Sequence, residues 1–234
     1  KIYRGSDLRR EVLPKLKRVA STPDFATWER IFDRPWIDHT QGWGNRQTHP
    51  TDNMPEYSRE LSRAVSIITL MLLLDFTDQE KETLLLSVVQ YGIDLWGAAM
   101  NGGGWEAAGG YGNGRKWPII FAGILLQDEK MQNPNRTIPG IRFGEDEQTV
   151  YGKAWTGANV LFAGHSGIHG KGDRGAYEHL PPAQWPGPKK TQSEGYRRCC
   201  TSISWVGSAL SARILNAKKL WNHDAYFDYV DRWM

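Results

Sequence analysis

The chain has only two cysteines, and they are neighbours, Cys199 and Cys200. A bridge between adjacent residues strains ordinary disulfide geometry. No disulfide framework is therefore expected, and the pair reads as two small buried apolar residues. There is no uninterrupted apolar run of 18 residues. Ile67 to Leu74 is apolar but short, and reads as part of a buried helix. A leader-like apolar segment, a dense basic run and a repeat of fixed period are also missing. With a net charge of +3 spread along the chain, a nucleic-acid groove is not expected. A mildly basic surface does suit a polyanionic ligand.

Several catalytic signatures are missing too. Gly114 is followed by Arg115, Lys116 and Trp117, which is not the order of a phosphate-binding loop. No strand precedes these glycines, which speaks against dinucleotide binding. There is no Gly-x-Ser-x-Gly elbow. His165 and His169 have a spacing that could hold a metal on a helix. However, Gly164, Gly167 and Gly170 argue against a helix there, and no third ligand is clearly placed. Neither metal nor cofactor is expected.

What the chain does have is tryptophan, 11 of them. Indoles are flat apolar plates with one N–H donor. Most belong in a core, but such plates also suit the apolar faces of sugars. The 234 residues read as one mainly α-helical domain over 1–234. Lys1 without a leading Met, and Met234 directly after a helical pattern, fit a trimmed mature form or a piece of a longer chain.

Periodicity predicts a helix from Ser6 to about Ala20, with Leu8, Val12, Leu16 and Val19 on one face and Pro14 as a break or kink. Thr22-Pro23 reads as the start of a helix reaching about Phe32. Pro55 to Asp75 is a long helical pattern. Thr77 to Glu80 is a capping box opening another, to about Met100. So short a connection predicts that these two pack as an antiparallel hairpin. Pro118 begins a helix to about Leu126. Residues 127–195 are mostly loop, with an extended piece near Gln148 to Tyr151. Arg197 to Asn216 is helical, with Ile203, Val206, Leu210 and Ile214 on one face, and Asn222 to Met234 is the last helix. Helical hairpins wound into an (α/α) toroid or an incomplete one fit this pattern. A plain helical bundle fits it nearly as well.

Polar residues gather in four loop clusters. The first holds Trp43, Arg46, Asn53 and Tyr57, with Asn53 placed at a helix start where a carboxylate ligand is favoured or where it simply caps the helix. The second, Asn101 to Lys116, has seven Gly in its first fourteen residues, with Trp105 and Tyr111 as stacking faces and Arg115 and Lys116 as partners for acidic groups. A plain surface loop is its alternative. The third holds Tyr151, His165, His169 and Glu178. The fourth, Tyr196 with Arg197 and Arg198, leads into a helix and either faces an anionic substrate or carries surface charge.

The strings TDNMPEYSRE, YGIDLWG, NGRKWPIIFAG, GYRRCCTSISWVG and FDYVDRWM resemble secreted bacterial proteins related to (α/α)-toroid polysaccharide lyases that cleave alginate and glucuronan. The likeness runs from about Trp36 to Met234. It implies secretion or a periplasmic location, an acidic polysaccharide as partner, and β-elimination at a uronic acid. Neutralising the carboxylate is needed because the C5 carbanion is otherwise too unstable. The residue types this chemistry uses are met by Asn53, Arg115, His165 and Arg197. Tyr151 is the first choice for proton transfer, with Tyr57, Tyr111 and Tyr196 as further candidates. Two other functions stay open. A glycoside hydrolase on the same architecture would need paired carboxylates from Asp52, Glu56, Asp94, Glu106 or Glu178. A glycan-binding module without turnover would need only exposed aromatic plates.

Overall fold

A computed structural model describes residues 2–32, 59–185 and 194–234. Within them the protein is mainly helical. The longer helices are α1 (Phe25–Ile31), α2 (Arg59–Leu72), α3 (Asp78–Met100) and α4 (Lys116–Leu125). Three short ones follow, α5 (Glu129–Gln132), α6 (Pro134–Thr137) and α7 (Gly144–Glu147). Then come α8 (Glu194–Cys200), α9 (Val206–Ile214), α10 (Lys218–Trp221) and α11 (Asp224–Trp233). Strands β1 (Thr149–Tyr151) and β2 (Val160–Phe162) pair antiparallel, with Val150 opposite Leu161.

Helix α3 forms as its sequence predicts. The Thr77 hydroxyl accepts from Glu80 N at 3.2 Å, and the Glu80 carboxylate accepts from Thr77 N at 2.6 Å. Such a cap is worth about 1 kcal/mol. The buried stripe Leu84, Val88, Tyr91, Leu95 and Ala99 repeats at helical spacing and lies along α4. Helix α4 is buried almost all round, so it sits at the centre of the core. At Gly92 a Cβ would come within 2.7 Å of the Ala122 side chain, so the bare backbone there lets α3 and α4 close up.

Helix α2 packs on α9, and α2 and α3 touch each other far less than the short connection between them predicts. The α2–α9 seam is hydroxyl-lined. Ser66 Oγ donates to Ser204 O at 2.5 Å and meets Ser208 Oγ at 2.9 Å, and the Thr69 and Ser211 hydroxyls meet at 3.2 Å. This reverses the expected orientation of α9. Ile203 and Leu210 are 50% and 47% exposed, whereas Ser204, Ser208, Ala209, Ser211 and Ala212 are buried. Small hydroxyls that satisfy one another allow two helices to approach, so the polar face goes inside.

The N-terminal segment also departs from its periodicity. In place of a helix over Ser6–Ala20 there are two single 3-10 turns, Gly5–Asp7 and Arg10–Val12. Beyond Pro14, Leu16 forms an isolated parallel bridge with Leu74. Leu16 N donates to Leu73 O at 2.9 Å and Asp75 N donates to Leu16 O at 2.8 Å, so its backbone is satisfied by the end of α2. Helix α1 is capped by Asp24, which accepts from Thr27 N at 2.8 Å, and not by Thr22. The predicted helix over Arg197–Asn216 is broken by a 3-10 turn at Ser202–Trp205.

Trp117, Trp205 and Trp221 are fully buried, and Trp221 stacks on Tyr226 at 4.3 Å. Cys199 and Cys200 are joined to each other and Cys199 faces solvent, so the expectation of two buried free thiols does not hold.

Candidate functional site

The glycine-rich segment is laid down against two others and does not form a free surface loop. Trp105 N donates to Arg142 O at 2.8 Å, Gly144 N to Gly112 O at 3.3 Å, and Gly109 N to His165 O at 2.8 Å. The buried Gln148 amide completes the tie, donating to Gly109 O at 2.8 Å and His165 O at 3.1 Å.

Gly109 is thereby fixed with φ +61°, a left-handed conformation. Two polar side chains close over its bare Cα. A Cβ at this position would collide with the Tyr196 hydroxyl and come within 3.0 Å of His165 Nε2. The two rings are tilted with centroids 6.0 Å apart. Tyr196 arrives from α8 and His165 from the turn after β2, and both are half-buried. Burial, followed by the nearby Arg174 guanidinium, pushes the His165 pKa below its usual value. The imidazole is neutral at neutral pH and able to accept a proton. Arg174 is held beside it, since its carbonyl accepts from Ser166 N at 3.0 Å. The sequence offered no signal for Arg174, because the exposed segment that carries it folds back only through backbone bonds.

Of the other expected site residues, Trp43, Arg46, Asn53 and Tyr57 lie outside the described residues, as do Asp52 and Glu56. Tyr111 is half-buried in the same segment as Gly109. Tyr151 is on β1, where its hydroxyl donates to Asp228 at 2.6 Å. That carboxylate holds the phenol pKa up at about 12, which makes Tyr151 a poor base. Trp105 is only 4% exposed and stacks on Phe143, so it has no open face for a ligand.

The expected cationic partners are turned inward. Arg115 is buried and donates to Asn113 O at 2.6 Å. Lys116 is buried and pairs with Asp146 at 2.5 Å, between the Phe143 and Trp221 rings. Desolvation lowers the Lys116 pKa. Arg197 pairs with Glu178, whose second oxygen accepts from Arg232 at 2.6 Å and from Phe162 N at 2.8 Å. Glu178, a carboxylate a hydrolase could use, is thus spent on two arginines and a backbone amide.

His165 and His169 do not converge. His169 Nε2 lies 3.2 Å from Glu147, while His165 faces Tyr196. Among the described residues no group of three metal-ligating side chains occurs. Two concavities lie elsewhere among the described residues. One of about 430 Å³ is lined by Tyr3, Phe32, Tyr91 and Asp94, and one of about 510 Å³ runs between α2 and α9 past Ile67, Leu70 and Leu210. Both are mainly apolar and neither contains the Tyr–His pair.

No family model, characterised protein or solved structure matches the chain.

Proposed function

We propose that the protein is a polysaccharide lyase cleaving a uronate-containing polysaccharide by β-elimination. The carrying observation is the convergence of the Tyr196 hydroxyl and a neutral His165 over Gly109. The helical body is read as an incomplete (α/α) toroid, with the site in the segments between its helices.

The chemistry assigns each group a task. Arg174 neutralises the substrate carboxylate, which acidifies the C5 proton. His165 takes the Tyr196 proton, and the phenolate oxygen takes the C5 proton. The C5–H electrons form the C4–C5 double bond as the C4–O bond breaks. Tyr196 then protonates the leaving glycosidic oxygen and recovers its own proton from His165. An unperturbed phenol has a pKa of about 10, so the paired imidazole is what makes this exchange feasible near neutral pH.

Incubation with alginate, glucuronan and neutral glucans tests the reading. The uronates should yield products with the ultraviolet absorbance of an unsaturated sugar, and the glucans should not. Tyr196→Phe and His165→Gln should each lower kcat by about 100-fold or more. New reducing ends without that absorbance would instead indicate hydrolysis and sink the proposal.

A further inference from the structure

The β1–β2 hairpin carries a row of side chains that the Tyr–His site does not use. Tyr151, Lys153 and Trp155 face solvent, while Gly152 is half-buried and Ala154 is buried. This is the alternation of a strand. Cross-strand bonds sustain it past β1, with Gly152 N donating to Asn159 O at 3.0 Å and Ala154 N to Ala158 O at 2.7 Å. Side chains two residues apart on one strand face stand about 6.6 Å from each other. A phenol and an ammonium therefore follow one another along this face, and the exposed indole of Trp155 comes next at the turn after Ala154.

Tyr151 is 60% and Trp155 51% exposed. Every other described Trp is buried or half-buried, so among the described residues Trp155 is the indole whose apolar area stays mostly in water at a free-energy cost. The Tyr151 plate is held by its side chain, and Trp155 is anchored through its backbone. The Tyr151 hydroxyl is bonded to Asp228. Trp155 N donates to Glu178 O at 2.9 Å, and the Glu178 carboxylate is locked by Arg197 and Arg232. Because Arg197 follows Tyr196, the same ion cluster ties the hairpin to α8. A plate fixed before binding, as Tyr151 is, loses little freedom when a ligand arrives. Asp228 and Asp224 near Tyr151 are countered by Lys218 at 3.4 and 3.9 Å. Lys153 makes no ion pair among the described residues.

The geometry points to a second glycan-contact site on this hairpin, where Trp155 and Tyr151 stack on sugar faces and Lys153 pairs with a uronate carboxylate between them. The choice of a uronate occupant rests on the proposed lyase function. The site grips the chain away from the bond being broken, so it serves affinity and not the chemical step.

Trp155→Ala and Lys153→Gln test it by fluorescence titration with defined alginate and glucuronan oligomers, with circular dichroism as the check on folding. Trp155→Ala should weaken binding about tenfold, and Trp155→Phe should recover part of the loss. Lys153→Gln should weaken uronate binding about threefold at low salt and flatten its salt dependence. Affinities within twofold of wild type for both variants overturn the site, as does a wild-type chain that binds no uronate oligomer. Product absorbance judges the lyase function separately. Weakened binding by these variants without any turnover would support the hairpin site while removing the enzyme.

Discussion

Replacing Gly109 with alanine probes the arrangement on which the candidate site depends. Two costs are expected. The residue sits at φ +61°, and holding an L-residue in the left-handed region costs about 1–2 kcal/mol. The new Cβ also meets the Tyr196 hydroxyl inside any allowed contact distance and His165 Nε2 at 3.0 Å, and overpacking of this kind costs about 1–3 kcal/mol. Gly109→Ala should therefore lose about 2–5 kcal/mol in all. The tighter of the two contacts depends on one oxygen atom. Tyr196→Phe deletes it, so in that background Gly109→Ala should cost the backbone part, about 1–2 kcal/mol, plus the milder His165 contact. Urea unfolding of wild type, both single variants and the double variant measures the coupling by linear extrapolation. A coupling of about 1–3 kcal/mol is expected. Equal costs of Gly109→Ala in the two backgrounds would refute the reasoning, because the hydroxyl would then not lie over Gly109. This cycle needs no substrate, so it tests the geometry whatever the protein's function.

Two further perturbations address buried charge. Glu178→Gln removes the carboxylate that pairs with the buried Arg197 and with Arg232. Breaking a buried pair from one side costs about 3–5 kcal/mol, and a loss under about 1 kcal/mol in urea unfolding would count against the clamp. Glu145 is fully buried, and burial followed by the neighbouring Asp146 raises its pKa to about 7. In the unfolded chain it ionises near its ordinary value, so between there and about pH 7 the folded state holds the extra proton. Stability then falls as pH rises across that window and levels off above it. Glu145→Gln should flatten this slope and gain up to about 3 kcal/mol at pH 8. An unchanged slope would show that Glu145 is ionised in the folded protein.

The helices that were legible in the sequence are those whose signals are local. Thr77 and Glu80 lie three residues apart and cap α3 through their own backbone, so the string alone predicts them. The final helix and the extended piece before Tyr151 were visible in the same way. Elements that depend on a distant partner were not. Leu8, Val12 and Leu16 have helical spacing, but Leu16 spends its backbone on Leu73 and Asp75. The serines of α9 look like a solvent face until Ser66 and Thr69 on α2 supply their partners. Ile203 and Leu210 then point outward, although periodicity had placed them within.

The glycine-rich segment misleads in one consistent way. Glycines beside charged residues read as an open loop whose cations await a ligand. Here Gly112 and Gly114 are buried, and their missing side chains let the chain pass against Glu106 and Ser62 where a Cβ would collide. A backbone threaded that deeply carries its neighbours inside with it. Arg115 and Lys116 thus become buried groups needing partners, which the carbonyl of Asn113 and the acidic helix α7 supply. The same threading holds Gly109 against His165 and Tyr196. The residues best placed for chemistry therefore come from other segments that close over the glycines, and not from the charged residues written next to them.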